Sequence, residues 1–347
     1  MLPNIKIAVT GLNAIDNPGP GVAVIRGLLE AKSFNATIIG LAYESLEPGI
    51  YMHNLVSKTY QIPYPSVGTD LLLERLQYIN EIENIDVIIP NFDAELYSFI
   101  KLSSKLNQMG INTFLPTMNQ FEERLKINLP EFGDKYDILV PKSDSINSLK
   151  DFADIKDDYE WPVVVKGKYY DAGIAYNMQQ VEAYFNKISA KWGLPIIIQE
   201  FSHGTEYNVT GVGDGKGNTI SCVPMRKQYI TDIGKAWGGI AISDEKLIEL
   251  TNHFIRETKW RGGFELELMK NKNGDFYLLE INPRIPAWVY LAVGVGQNIP
   301  EIITNLALNN EVVPITKLEP GKMFIRYSWD MIVNLDEFQQ ISTTGEL

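Results

Sequence analysis

With 347 residues, 45 % of them hydrophobic and 21 % charged, the chain has the make-up of a folded protein of two or three domains and not of a disordered one. Its 43 acidic residues outnumber 31 lysines and arginines, and the net charge of −12 argues against nucleic-acid phosphates or anionic membrane surfaces as partners. One cysteine, Cys222, and three scattered histidines, His53, His203 and His253, exclude a disulfide and a cysteine zinc cluster and suggest no histidine metal site. With no apolar run near the roughly 18 residues that span a bilayer and no apparent signal peptide, a reduced, cytoplasmic, enzyme-sized protein is the expectation.

Residues 5–9 (IKIAV) read as a buried strand, followed by a Gly- and Pro-rich turn over 11–21 and a helix over 22–31. Residues 37–41 form the next strand. Thr69 and Asp70 can cap a helix to residue 84, 86–90 (DVIIP) is a strand, a helix covers 94–109, and 113–115 gives one more short strand. This alternation predicts parallel βαβ units in an open sheet that ends near residue 116. Thr117 and Gln120 make a capping-box pattern that opens a helix, after which 130–141 is irregular. Residues 161–166 (WPVVVK) form a strand, 167–173 a glycine-containing loop, 178–192 an amphipathic helix and 196–201 (IIIQEF) a further strand. Turn signals at 214–218 separate two more strands, and Asp244 begins a helix to residue 258. Asn298 caps a helix with Pro300 in its first turn. The tail holds a short strand at 323–327 and a polar terminus.

The segment 261–282 carries the most chemistry. Alternation and the Asn273-Gly274 turn signal predict an antiparallel hairpin. Period two puts Glu265 and Glu267 on one face of the first strand, and Glu280 and Asn282 on one face of the second. Solvated acids on an edge hairpin would explain Glu265 and Glu267 alone. Paired about the turn, however, Glu267 and Glu280 come close, and two carboxylates on an apolar hairpin repel and are costly to desolvate. A divalent cation answers both difficulties. Magnesium takes hard oxygen ligands, typically one or two carboxylates plus substrate phosphates, so Glu267, Glu280 and Asn282 form a candidate clamp for a metal nucleotide.

The run LLEINPR (278–284) resembles the last core motif of the ATP-grasp superfamily. Residues 278–300 and the companion strand GGFELEL (262–268) resemble its carbamoyl-phosphate-synthase-like branch, although that branch often has Asn and Gln where this chain has Glu265 and Glu267. The resemblance implies an α/β (α+β) ATP-grasp fold. It would comprise an N-terminal Rossmann-like domain (1–116), a central lid subdomain (117–200) and a C-terminal antiparallel-sheet subdomain with the tail (201–347). It implies ATP with magnesium, or manganese in its place. Glu267, Glu280 and Asn282 would be metal ligands, and Arg284 would contact the transferred phosphoryl group.

Lys166 ends an apolar strand, where its charge can meet a phosphate or snorkel to solvent. With the loop KGKYYDA and GIAYN (173–177) it resembles the ATP-grasp phosphate lid, although the loop is short and poor in glycine. Lys126, placed on the preceding helix, matches the other phosphate-side cation more loosely. In IIIQEFSHGTE (196–206) the resemblance assigns Glu200 and Phe201 to the adenine, main chain of Ser202 beside them, and Glu206 to the ribose. Arg226, Lys227 and Lys235 form a basic cluster, either a soluble surface or an anion site. The resemblance places it beside the γ-phosphate and the acceptor.

Other candidates are weaker. Gly11, Gly19 and Gly21 lack dinucleotide-binding spacing. Asp93 and Glu95 could touch substrate, but Asp93 is expected to cap the helix that follows it; His203 could serve acid–base work but is expected to be solvated, and Cys222 to be inert core. The combined expectation is an ATP-dependent carboxylate-amine ligase acting through an acylphosphate, with small-molecule carboxylate and amine partners and a homodimer as in related enzymes. The alternatives are a nucleotide-binding accessory or sensor protein, and a carboxylate or carbamate kinase without ligation.

Overall fold

The computed structural model describes residues 2–14, 18–231, 234, 236–315 and 317–347. The chain divides into a larger unit (Met1–Met118, Asn208–Glu265, Asn282–Leu347) and a smaller one (Asn119–Tyr207, Leu266–Ile281).

The larger unit begins with the strands β1 (Asn4–Val9), β2 (Asn35–Ala42), β3 (Lys58–Gln61) and β4 (Val87–Ile89), which make a parallel sheet ordered β3-β2-β1-β4. Helix Pro20–Leu29 connects β1 to β2, helix Thr69–Glu83 connects β3 to β4, and helix Asp93–Gln108 follows β4. This is the predicted Rossmann-like arrangement. The apolar runs on β1 and β4 are buried because helices cover the sheet. Ile7 and Val9 pack with Val24, Ile25 and Leu28 and with Trp288, Ile299 and Ile303 in one core.

The smaller unit holds β5 (Ser143–Ile146), β6 (Val163–Gly167), β7 (Ala172–Ala175) and β8 (Ile196–Glu200), an antiparallel sheet ordered β5-β8-β6-β7. Helix Met178–Trp192 covers it, and Phe152, Val163, Val165, Val181, Ile188 and Ile198 form its core. The remaining strands are β9 (Thr205–Asp214), β10 (Thr219–Ile230), β11 (Ala236–Ala241), β12 (Arg261–Lys270), β13 (Phe276–Asn282) and β14 (Met323–Ile325), ordered β13-β12-β9-β10-β11-β14. β9, β12 and β13 each run from one unit into the other. A turn over residues 271–275 joins β12 to β13 as the predicted hairpin; Asn271 Oδ1 accepts from the backbone amides of Asn273 and Asp275, both at 2.9 Å.

Four local expectations are corrected. Residues 113–115 form no strand; only an isolated bridge joins Asn112 to Val87. Gly68, not Thr69 or Asp70, precedes the helix at 69. Leu129–Tyr136 is a helix where an irregular stretch was expected, because Pro130 sits in its first turn and fits there. The polar terminus forms a helix, Leu335–Thr344, after which Leu347 exchanges backbone hydrogen bonds with Thr59 of β3 at 2.7 and 2.9 Å. Among the described residues no helix is long and apolar enough to cross a membrane.

Candidate functional site

In the smaller unit the hairpin acids meet two lysines. Glu280 Oε2 lies 3.2 Å from Lys126 Nζ, and that ammonium also donates to the backbone carbonyl of Tyr169 at 3.1 Å. Lys126 stands in a 3₁₀ turn, Lys126–Asn128, and not on a helix as the sequence suggested. The 3₁₀ turn points its ammonium at the loop that follows β6. Lys166, at the end of β6, is held below the usual lysine range, at about 8. Burial is the main cause; Glu280 and Glu267 oppose it, and Lys126 reinforces it. The charges of Glu267 and Glu280 therefore both act on Lys166.

The purine- and ribose-side candidates lie in the same unit. Glu200 is the exposed last residue of β8, and its backbone amide donates to Lys142 O at 2.8 Å. The loop that follows holds Phe201 and Ser202 half-buried, with the Phe201 ring edge-on to His203 at 4.6 Å. Glu206 lies at the start of β9. His203 is exposed, as expected.

In the larger unit Glu265 is 6 % exposed, which rules out for it the alternative of a solvated edge acid. Its Oε1 accepts from Trp288 Nε1 at 2.6 Å and Asn208 Nδ2 at 2.8 Å, and its Oε2 from Asn282 Nδ2 at 3.2 Å and Arg284 Nη1 at 3.5 Å. β12 is covered on both faces there, so this carboxylate is affordable only with such donors. Arg284 Nε also donates to Asp93 Oδ2 at 2.7 Å. Asp93 thus orients an arginine and does not cap its helix. Glu95 does the capping, accepting from the amides of Asn91 at 2.7 Å and Phe92 at 2.9 Å. Arg326, which sequence reasoning missed, adds a second guanidinium. Burial lowers it to about 10 against the opposing charge of Glu265, and its buried Nη1 has no hydrogen-bond partner among the described residues. Nothing local in GKMFIRYSW marks this arginine as buried.

Arg226 is exposed on β10, and Lys227 Nζ lies 3.4 Å from Gly234 O. Lys235 lies outside the described residues. Burial pushes the Cys222 thiol up to about 12, which keeps it unreactive.

The donor set fits a magnesium ion in kind. Glu267 and Glu280 offer hard carboxylate oxygens of the kind magnesium takes, and in the larger unit Asn282 donates its Nδ2 to Glu265 Oε2. Among the described residues no three His, Cys, Asp or Glu side chains converge as a metal cage. A cation here would draw its remaining ligands from phosphate and water, as magnesium commonly does.

A family described as ATP-grasp in the biosynthetic pathway with Ter operon matches residues 194–327. The carbamoyl phosphate synthase large chain of Pyrococcus furiosus is 24 % identical over 303 residues, covering 80 % of this chain and 28 % of that one. This chain therefore spans less than a third of that relative. The tyramine–L-glutamate ligase of Methanocaldococcus fervens is 25 % identical over 240 residues, covering 67 % of this chain and 78 % of that one. Among solved structures, biotin carboxylase from Campylobacter jejuni superposes with a TM-score of 0.74 at 15 % identity, covering 92 % of this chain and 74 % of that one.

Proposed function

We propose, from the premise that this chain is an ATP-grasp protein of the carbamoyl-phosphate-synthase-like branch, that it is an ATP- and magnesium-dependent carboxylate-amine ligase. The observation that carries the reading is the cluster of Lys126, Lys166, Glu267 and Glu280: two cations and two carboxylates on one short hairpin and its neighbours. Such a cluster suits a polyphosphate with a cation better than it suits a folding role, because burial alone costs Lys166 part of its charge.

In the proposed reaction a carboxylate oxygen of the substrate attacks the γ-phosphorus of ATP. The bond to the β-γ bridging oxygen breaks and ADP leaves. The amine nitrogen then attacks the acyl carbon, phosphate leaves, and the nitrogen gives up a proton. Both steps need positioning and charge neutralisation more than a protein nucleophile. Lys126 and Lys166 would neutralise phosphate oxygens. Glu200, Phe201 and Ser202 would bind the adenine edge and Glu206 the ribose. Glu267, Glu280 and Asn282 would hold magnesium, which when bound neutralises phosphate charge. Manganese would be an acceptable substitute. Arg284, held by Asp93 and Glu265, would contact the transferred phosphoryl group, with Arg226 and Lys227 on the acceptor side. A homodimer and a cytoplasmic location belong to the same proposal and rest on the likeness to small-molecule ligases alone.

The test is ADP release with a panel of carboxylates, each with and without primary amines. The expected result is ADP formation that needs both substrates, with Glu280→Gln slowing turnover by about 100-fold or more, as loss of a preorganised charge contact does. Absence of ADP with every pair, together with no ATP binding, would overturn the reading. Phosphate release independent of any amine would replace it with a carboxylate kinase.

A further inference from the structure

A second concentration of chemistry lies in the larger unit, at the carboxyl ends of β1, β2 and β4, and the roles assigned above leave it unused. The order β3-β2-β1-β4 reverses between β1 and β4, and open α/β sheets take ligands beyond the carboxyl ends of strands at such a reversal. Three aromatic rings gather there. Tyr43, directly after β2, stacks on Tyr64 with ring centroids 5.7 Å apart and lies 6.1 Å from the ring of Phe92.

Carboxylates surround the rings. The Tyr43 hydroxyl donates to Glu95, the Tyr64 hydroxyl to Glu44, and the Tyr43 backbone amide to Glu47 Oε1 at 2.7 Å. Glu47 is 5 % exposed. Its Oε1 also accepts from the Glu44 amide, whereas its buried Oε2 has no hydrogen-bond partner among the described residues. The side-chain charges acting most on it, Glu95 and Glu44, are both negative, and burial pushes it up to about 7. A buried carboxyl oxygen that lacks a donor is costly. Electron-rich ring faces and an unmatched acceptor together recognise an organic ammonium.

We propose that Tyr43, Tyr64, Phe92 and Glu47 form the subsite for the substrate's ammonium group, Glu47 Oε2 accepting from the nitrogen and the ring faces covering its carbon substituents. This rests on the ligase reading for the amine's role as acceptor. Tyr64, 48 % exposed and hydrogen-bonded through its hydroxyl to exposed Glu44, is the most accessible of the three rings. Phe92 immediately precedes Asp93, which holds Arg284, so the subsite adjoins an arginine assigned to the phosphoryl group.

The experiment is a calorimetric titration of the full chain, without nucleotide, by benzylamine and by its neutral analogue benzyl alcohol. Benzylamine is expected to bind at least about tenfold tighter than the alcohol, and Glu47→Gln and Tyr64→Leu each to weaken it by about tenfold. Glu47→Gln keeps an oxygen for the two backbone amides and replaces the unpartnered oxygen with an NH₂ group. MgADP affinity is expected to be unchanged in both variants, which shows that they fold. No binding of benzylamine, equal affinity for amine and alcohol, or wild-type amine affinity in both variants would overturn the proposal. Because neither ATP nor a carboxylate is present, amine binding alongside absent ADP release and absent ATP binding would refute the ligase reading and leave the cation subsite standing.

Discussion

Lys166 shows how burial and charge act at one side chain. The apolar strand WPVVVK draws its stem inward, and the resulting loss of solvation outweighs the attraction of Glu267 and Glu280. In the nucleotide-free protein its ammonium is lost as pH rises through about 8. A phosphate needs that charge, so binding below this pH proceeds with the lysine already charged, and binding above it must take up a proton. MgADP affinity, measured by calorimetry in buffers of different ionisation enthalpy, is therefore expected to fall between pH 8 and 10 with proton uptake. Lys166→Met is expected to remove both effects; retention of the same pH dependence in that variant would place the titration elsewhere. Glu265 and Glu267 make the complementary point. One residue apart and on the same face by period two, they differ because Trp288, Asn208, Asn282 and Arg284 all reach Glu265. A strand pattern reports the face but not the donors that other segments bring to it.

Local signals located most elements, and long-range contacts decided the exceptions. Asn177, Asp244 and Asn298 cap their helices, accepting from the amides of Gln180 at 3.0 Å, Lys246 at 3.1 Å and Glu301 at 3.2 Å. Those at Asp244 and Asn298 were legible because they are written within three residues, whereas the Asn177 cap emerges only in the structure. β3 was not, since its four residues KTYQ have no apolar run, and it is fixed by pairing with β2 and with the tail. The glycine-rich turn after β1 lacks dinucleotide-binding spacing, and what its glycines do physically needed the structure. A Cβ at Gly21 would lie 2.2 Å from Thr10 O and 2.6 Å from Gly11 O, so the helix starts almost on top of the strand end. Gly21→Ala is expected to cost about 2–3 kcal/mol of stability, as overpacking against backbone does. Chemical denaturation checks it, and a change under about 0.5 kcal/mol, the range of surface substitutions, would contradict this packing.

At the scale of the whole molecule, the mixed α/β fold with its Rossmann-like start and the likeness to ATP-grasp proteins were legible because the apolar runs, LLEINPR and the hairpin before it lie on contiguous sequence. The −12 charge argues against nucleic-acid and anionic-membrane partners, yet Lys126 and Lys166 concentrate positive charge beside two carboxylates. An acidic protein that places its cations this way is suited to a small polyphosphate accompanied by a divalent ion. Which carboxylate and which amine the proposed ligase would take depends on side chains from distant segments, which is why the sequence reaches their chemical class and no further. The most direct test is calorimetric titration of a non-hydrolysable ATP analogue with and without magnesium, in the wild type and in the Glu267→Gln/Glu280→Gln double variant. The account predicts magnesium-dependent binding in the wild type and loss of that dependence in the variant. Equal binding by both proteins, with or without the metal, would contradict it.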